Sequence, residues 1–101
     1  MIKTTVMYGH PTDPDAFEAY YKSDHTAIVN KVSGIVKAEY TKFLHNMDGS
    51  APAYYRMAEL YFVGPAELQE TMSSPEGQAM VDDLINFATG GVTVIIGVVE
   101  N

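Results

Sequence analysis

Four short segments rich in β-branched and aromatic residues, punctuated by two helix-forming runs, constrain the fold of this chain more than any other feature. Ile2–Tyr8 is β-branched and apolar and stops at Gly9-His10-Pro11, as a first strand does. A helix follows with an explicit start: Asp13 as N-cap, Pro14 at the first helical position, Asp15 in the first turn. Its periodicity runs to about residue 32, before Ser33-Gly34. Residues 36–44 alternate, with Val36, Ala38, Tyr40 and Leu44 on one side and Lys37, Glu39, Thr41 and Phe43 on the other. A turn-rich stretch, 45–53, holds Asp48-Gly49 and Pro52 and leads into a third strand, 54–62. Gly64-Pro65 opens a short helix to about Met72, and Ser73 and Glu76 stand at capping-box spacing for another. Met80, Leu84 and Phe87 form the apolar face of that helix, Gly90-Gly91 ends it, and VTVIIGVV makes a fourth strand over 92–99.

The order β-α-β-β-α-β predicts an α+β, ferredoxin-like fold. It is a four-stranded antiparallel sheet with its helices on one face, because right-handed crossovers put both helical layers on the same side. Residues 1–101 suit one domain, which at this length buries about two-thirds of its unfolded surface. Strand four is apolar on both faces, and strand three sets Tyr55, Met57 and Tyr61 against Ala58, Leu60 and Phe62. A sheet apolar on both sides needs two covers. The expected second cover is another copy of the chain, giving a homodimer with sheets face to face. Burial of about 800 Å² per partner would drive it, partly offset by association costs. By the same parity Tyr55 and Tyr61 belong to the dimer face, and so does Glu59, which there requires a cationic mate.

The chain carries 13 acidic and 6 basic residues, a formal net charge of −7. Such a surface repels phosphate backbones and anionic headgroups, so neither nucleic acid nor membrane is an expected partner. The absence of cysteine excludes disulfides and thiolate catalysis and fits a reducing compartment. The amino terminus is too short and polar for a signal peptide, and no stretch approaches the ~18 apolar residues that span a bilayer. A cytoplasmic location is expected.

Within the first helix Phe17, Tyr21, His25, Ile28 and Val29 share a face, so His25 sits in an apolar stripe. Imidazole moves protons near neutral pH, which makes His25 the leading candidate for a general acid or base. The structural alternative is a core histidine bonded to a backbone carbonyl. Asp24 points about 100° away and is expected to be solvated rather than to orient His25. Seven tyrosines against four phenylalanines suggest that hydroxyls are wanted where something polar arrives. Tyr21, one turn before His25, is placed to donate to a carbonyl oxygen of a ligand. Tyr8 and Tyr40 are candidates for lining the same cleft, with core or interface packing as the alternative. Arg56 shares its parity with Ala58 and Leu60, the helix side, where it would bind a carboxylate or enolate or else pair with an acidic residue. His10, His25 and His45 lack metal-ligand spacing, and no glycine run forms a phosphate or dinucleotide fingerprint, so neither metal nor organic cofactor is expected.

The string FEAYYKSDHTAIV followed by SGIVKAEY, together with YYRMAELYF leading into LQETMSSPEGQAMVDDLINF, resembles the EthD family of dimeric α+β barrel proteins over nearly the whole chain. One departure is the aromatic before the histidine, which is Tyr20-Tyr21 here, in a chain without tryptophan. That absence also argues against close kinship with the haem-degrading members of the wider group. The resemblance implies a ligand cavity between sheet and helices, and an association with degradation of ethers and other hydrophobic compounds under an oxidoreductase label. Cofactor-free monooxygenases, cyclases and isomerases belong to the same wider group. The expected function is therefore cofactor-independent proton-transfer chemistry on a small hydrophobic, oxygenated substrate, with His25 and Tyr21 catalytic and Tyr8, Tyr40 and Arg56 binding it. The rival is a ligand-binding or accessory protein without turnover, since a fold does not fix a reaction.

Overall fold

The computed structural model describes all residues, Met1–Asn101. Its strands are β1 (Ile2–Tyr8), β2 (Lys37–Lys42), β3 (Arg56–Phe62) and β4 (Val92–Val98), in an antiparallel sheet of order β2-β3-β1-β4. The ferredoxin-like order and topology expected from the sequence are present. Register pairs Tyr8 with Arg56 and Val92, Val6 with Ala58 and Val94, and Thr4 with Leu60 and Ile96. Paired residues share a face, so these line the side that the helices cover.

Asp13 caps the first helix as predicted, accepting from the Ala16 amide, with Pro14 opening it. The helix is not uniform. After α1 (Pro14–Tyr20) it widens into a π-helical turn over Tyr21–His25, then tightens again in α2 (Thr26–Val29). In the wide turn the Thr26 amide reaches back five residues to the Tyr21 carbonyl, which also accepts from the Thr26 hydroxyl. The helical run ends at Val29, short of the expected residue 32.

Two further helices, α3 (Pro65–Ser73) and α4 (Pro75–Asp82), continue into a 3₁₀ turn at Asp83–Asn86. Ser74, not Ser73, caps α4: its hydroxyl accepts from the Gly77 amide and donates to the Thr71 carbonyl. Pro75 at the first helical position fixes the cap one residue later than the capping-box spacing suggested. Gly90-Gly91 does not terminate the helix directly. The helical backbone stops at Asn86, and Gly91, at φ 90°, turns the chain into β4.

The core falls into two clusters. Val6, Tyr8, Phe17, Tyr21, Tyr55, Ala58 and Phe87 make one; Val29, Val32, Leu60, Phe62, Leu68 and Met80 make the other. Tyr55 was expected on the opposite, dimer-forming face. It lies at a bend just before β3, where period-two alternation no longer holds, and its ring packs edge-on against Phe17. The outer face carries Tyr61, whose hydroxyl donates to Glu39, and Glu59, whose cationic mate is Lys3 of the same chain. Unpartnered apolar surface concentrates on β4, where Val94, Ile95 and Ile96 are 51%, 55% and 59% exposed, so both faces of that edge strand are open. No helix is long and apolar enough to cross a membrane.

Candidate functional site

Between the two core clusters lies a cavity of about 580 Å³, walled almost entirely by apolar side chains from β1, β3, β4 and the helices. Its volume suits a small organic molecule. Tyr8 and Thr4 reach it from β1, Tyr21 and His25 from the π-helical turn, and Tyr40 from β2. The sequence had placed Tyr8, Tyr21, His25 and Tyr40 at one cleft, and all four line this cavity.

His25 is 4% exposed, and its ring packs against those of Tyr21 and Phe87, with centroids 5.7 and 4.6 Å away. Its Nδ1 lies 2.8 Å from Oδ2 of Asp83, itself buried. Asp83 also accepts from the Tyr20 hydroxyl at 2.6 Å and from Asn86 Nδ2 at 2.9 Å. Burial alone would raise its pKa; the hydrogen bonds from Tyr20, Asn86 and His25 outweigh this and hold it below the usual carboxylate value. A carboxylate at Oδ2 requires a proton on Nδ1, which leaves Nε2 as the ring atom available for proton transfer.

Asp83, the buried partner of His25, is not among the candidates that the sequence pointed to. Asp24 is exposed and takes a hydrogen bond from Ser23, as its helical position had indicated. The signal for Asp83 was present: it stands at i+3 from Met80 and i−4 from Phe87, inside the stripe assigned to the core. A carboxylate there is as anomalous as the imidazole at His25.

The Tyr21 ring meets Tyr8 edge-on at 5.6 Å and Tyr40 at 6.1 Å. Burial is the main cause that pushes its phenol up to about 12, which keeps it a hydrogen-bond donor across the neutral range. Burial raises the Tyr8 phenol further, with the Tyr21 hydroxyl a second cause. The two hydroxyls are close enough that charge and hydrogen bonding between them both contribute to their shifts, yet Tyr21 OH has no partner at full hydrogen-bond distance and angle.

Arg56 behaves differently from the expectation that it binds ligand. It faces the helix side, but it does not line the cavity, and Glu18 of α1 claims its guanidinium through Nε at 2.9 Å and Nη2 at 2.7 Å. This fork geometry is what a guanidinium and a carboxylate favour, and it leaves Arg56 stacked over the Tyr21 ring at 5.0 Å. Glu18 also accepts from Tyr55 at 3.0 Å. Arg56 thus takes the alternative the sequence offered, pairing with an acidic residue, and its guanidinium backs the Tyr21 ring. His10 and His45 bond to the carbonyls of Pro52 and Asn46 and stand apart from His25.

Comparison with known proteins places this geometry among relatives. The EthD domain model matches residues 9–91. An 11.0 kDa protein encoded in the thcB-thcC intergenic region of Rhodococcus erythropolis is 39% identical over 95 residues, covering 94% of this chain and 91% of that one. The crystal structure of an ethyl tert-butyl ether D (EthD) family protein from Bacillus halodurans superposes with a TM-score of 0.93 at 29% identity, covering 99% of each chain. A dimeric ferredoxin-like protein from Jannaschia shares the fold at a TM-score of 0.72 and 16% identity, covering 97% of this chain and 98% of that one.

Proposed function

Because the chain belongs to the EthD family, we propose that it catalyses proton transfer on a small hydrophobic ketone-like or otherwise oxygenated substrate, held between the first helix and the sheet. The observation that carries this reading is the buried His25–Asp83 pair in the wall of an otherwise apolar cavity. Nε2 of His25 takes the proton from a carbon next to a carbonyl, and the Asp83 carboxylate stabilises the imidazolium that forms. The Tyr21 hydroxyl donates to the carbonyl oxygen as negative charge develops there, in a setting from which water is largely excluded. Returning the proton at a different atom gives isomerisation; attack of the enolate carbon on a second carbonyl of the same molecule, whose oxygen then takes the proton from His25, gives cyclisation; and the carbanion is also the species that dioxygen would oxidise. No residue in this scheme requires a bound cofactor.

The same reading includes a second copy of the chain packed against the sheet. Support comes from the open apolar surface of β4 and from the dimeric state named for the Jannaschia protein. Val94 and Ile96 both line the cavity and stand half-exposed, so a partner on β4 would also narrow its mouth.

Exchange of α-protons in deuterated water tests the chemistry without knowledge of the natural substrate. Octan-2-one, followed by NMR, should lose its α-proton signals faster with the protein than with buffer. H25N should remove that acceleration by about 10²-fold or more. Binding of the ketone without any accelerated exchange would favour the carrier reading instead.

A further inference from the structure

Two buried side-chain polar atoms lack a hydrogen-bond partner, Oγ1 of Thr4 and the hydroxyl of Tyr21. Both residues line the same cavity. Buried polar groups are otherwise almost always paired, because an unmet hydroxyl forfeits its bonds to water. Thr4 is 3% exposed and sits among Val6, Leu60 and Ile96, where the isosteric valine would pack without that cost.

We propose that Thr4 binds a second oxygen function of the ligand, so that the cavity selects an apolar molecule with two separated carbonyl-type acceptors. This rests on the cavity being the ligand site, as proposed above, but not on proton transfer taking place there. The spacing follows from the sheet. Tyr21 contacts Tyr40, which pairs with Ala58 and so lies level with Val6. Thr4 is the next residue of β1 on that face, about 7 Å further along the strand. One acceptor meets Tyr21 at the His25 end, and the other meets the Thr4 hydroxyl towards the second core cluster.

Octane-2,7-dione and octan-2-one, equal in chain length, are the probes, with affinities read by NMR titration or calorimetry. The intact protein should bind the dione at least tenfold more tightly than the monoketone. T4V should erase that preference while leaving monoketone affinity within about twofold. It should also leave the unliganded protein with an equal or higher Tm, by up to a few degrees, since an unmet hydroxyl is removed. A preference that survives T4V, equal binding of both probes by the intact protein, no binding of either, or a lowered Tm in T4V would each overturn the proposal. A wild type that prefers the dione yet exchanges no protons would defeat the catalytic reading and leave the role of Thr4 standing.

Discussion

Nδ1 of His25 and Oδ2 of Asp83 meet at 2.8 Å across 58 residues of chain, with both side chains buried. Each sits in the apolar stripe of its own helical segment, and the pairing explains both anomalies at once. Neither could remain buried alone: the carboxylate needs its three donors, and the imidazole needs a fixed tautomer to present Nε2 to the cavity.

D83N should therefore impair chemistry more than ligand binding. The amide keeps the size of the carboxylate but no longer dictates the Nδ1 proton or stabilises imidazolium. α-Proton exchange on octan-2-one is expected to fall at least about 10²-fold, with the dissociation constant of the ketone changed by less than about fivefold. Parallel loss of affinity and exchange would point to a purely structural pair.

Acid stability should follow Glu18. Hydrogen bonding by Arg56 is the largest cause that lowers its pKa, to about 2 from an ordinary 4.5. A carboxyl depressed in the folded state contributes stability that is complete above about pH 4.5 and is lost as pH falls towards 2. Urea midpoints measured across that window should drop for the wild type and drop less steeply for E18Q. At neutral pH, E18Q should already be the weaker protein, because Arg56 loses its fork partner.

Gly77 reports on the approach of α3 to α4. A methyl group there would collide with the Thr71 carbonyl, a backbone atom that cannot swing aside. G77A is expected to cost about 2 kcal/mol or more, despite alanine's better helix propensity, as read by chemical denaturation. A neutral result would mean that the two helices slide apart without penalty.

Ile95 tests the second copy. It points away from the helices and is 55% exposed. Sedimentation should show the wild type as a dimer and I95K as a folded monomer, with an unchanged circular dichroism spectrum. A lysine variant that still sediments as a dimer would move the interface off this face.

Much of the fold was legible because local periodicity carries it. Period-two alternation assigned Arg56, Ala58 and Leu60 to the helix side and Met57 and Tyr61 to the other, and the register agrees. It failed for Tyr55, where a bend interrupts the strand. The Asp13-Pro14 start was readable because a cap involves only neighbouring residues. The π-helical turn was not, since it adds a residue per turn without altering the stripe pattern enough to be seen.

Sequence by itself determined the order of strands and helices, the faces of the sheet, and the presence of an imidazole and three tyrosines on segments facing the core. These properties depend on residues a few positions apart, whose relative placement the backbone geometry fixes. Only the tertiary structure decided that Asp83 holds His25, that Glu18 takes Arg56 out of the cleft, and that a void remains between two core clusters with Thr4 and Tyr21 unpaired in its wall. Those outcomes depend on how the helical layer settles on the sheet, where an ångström of packing decides which distant groups touch and whether space is left between them.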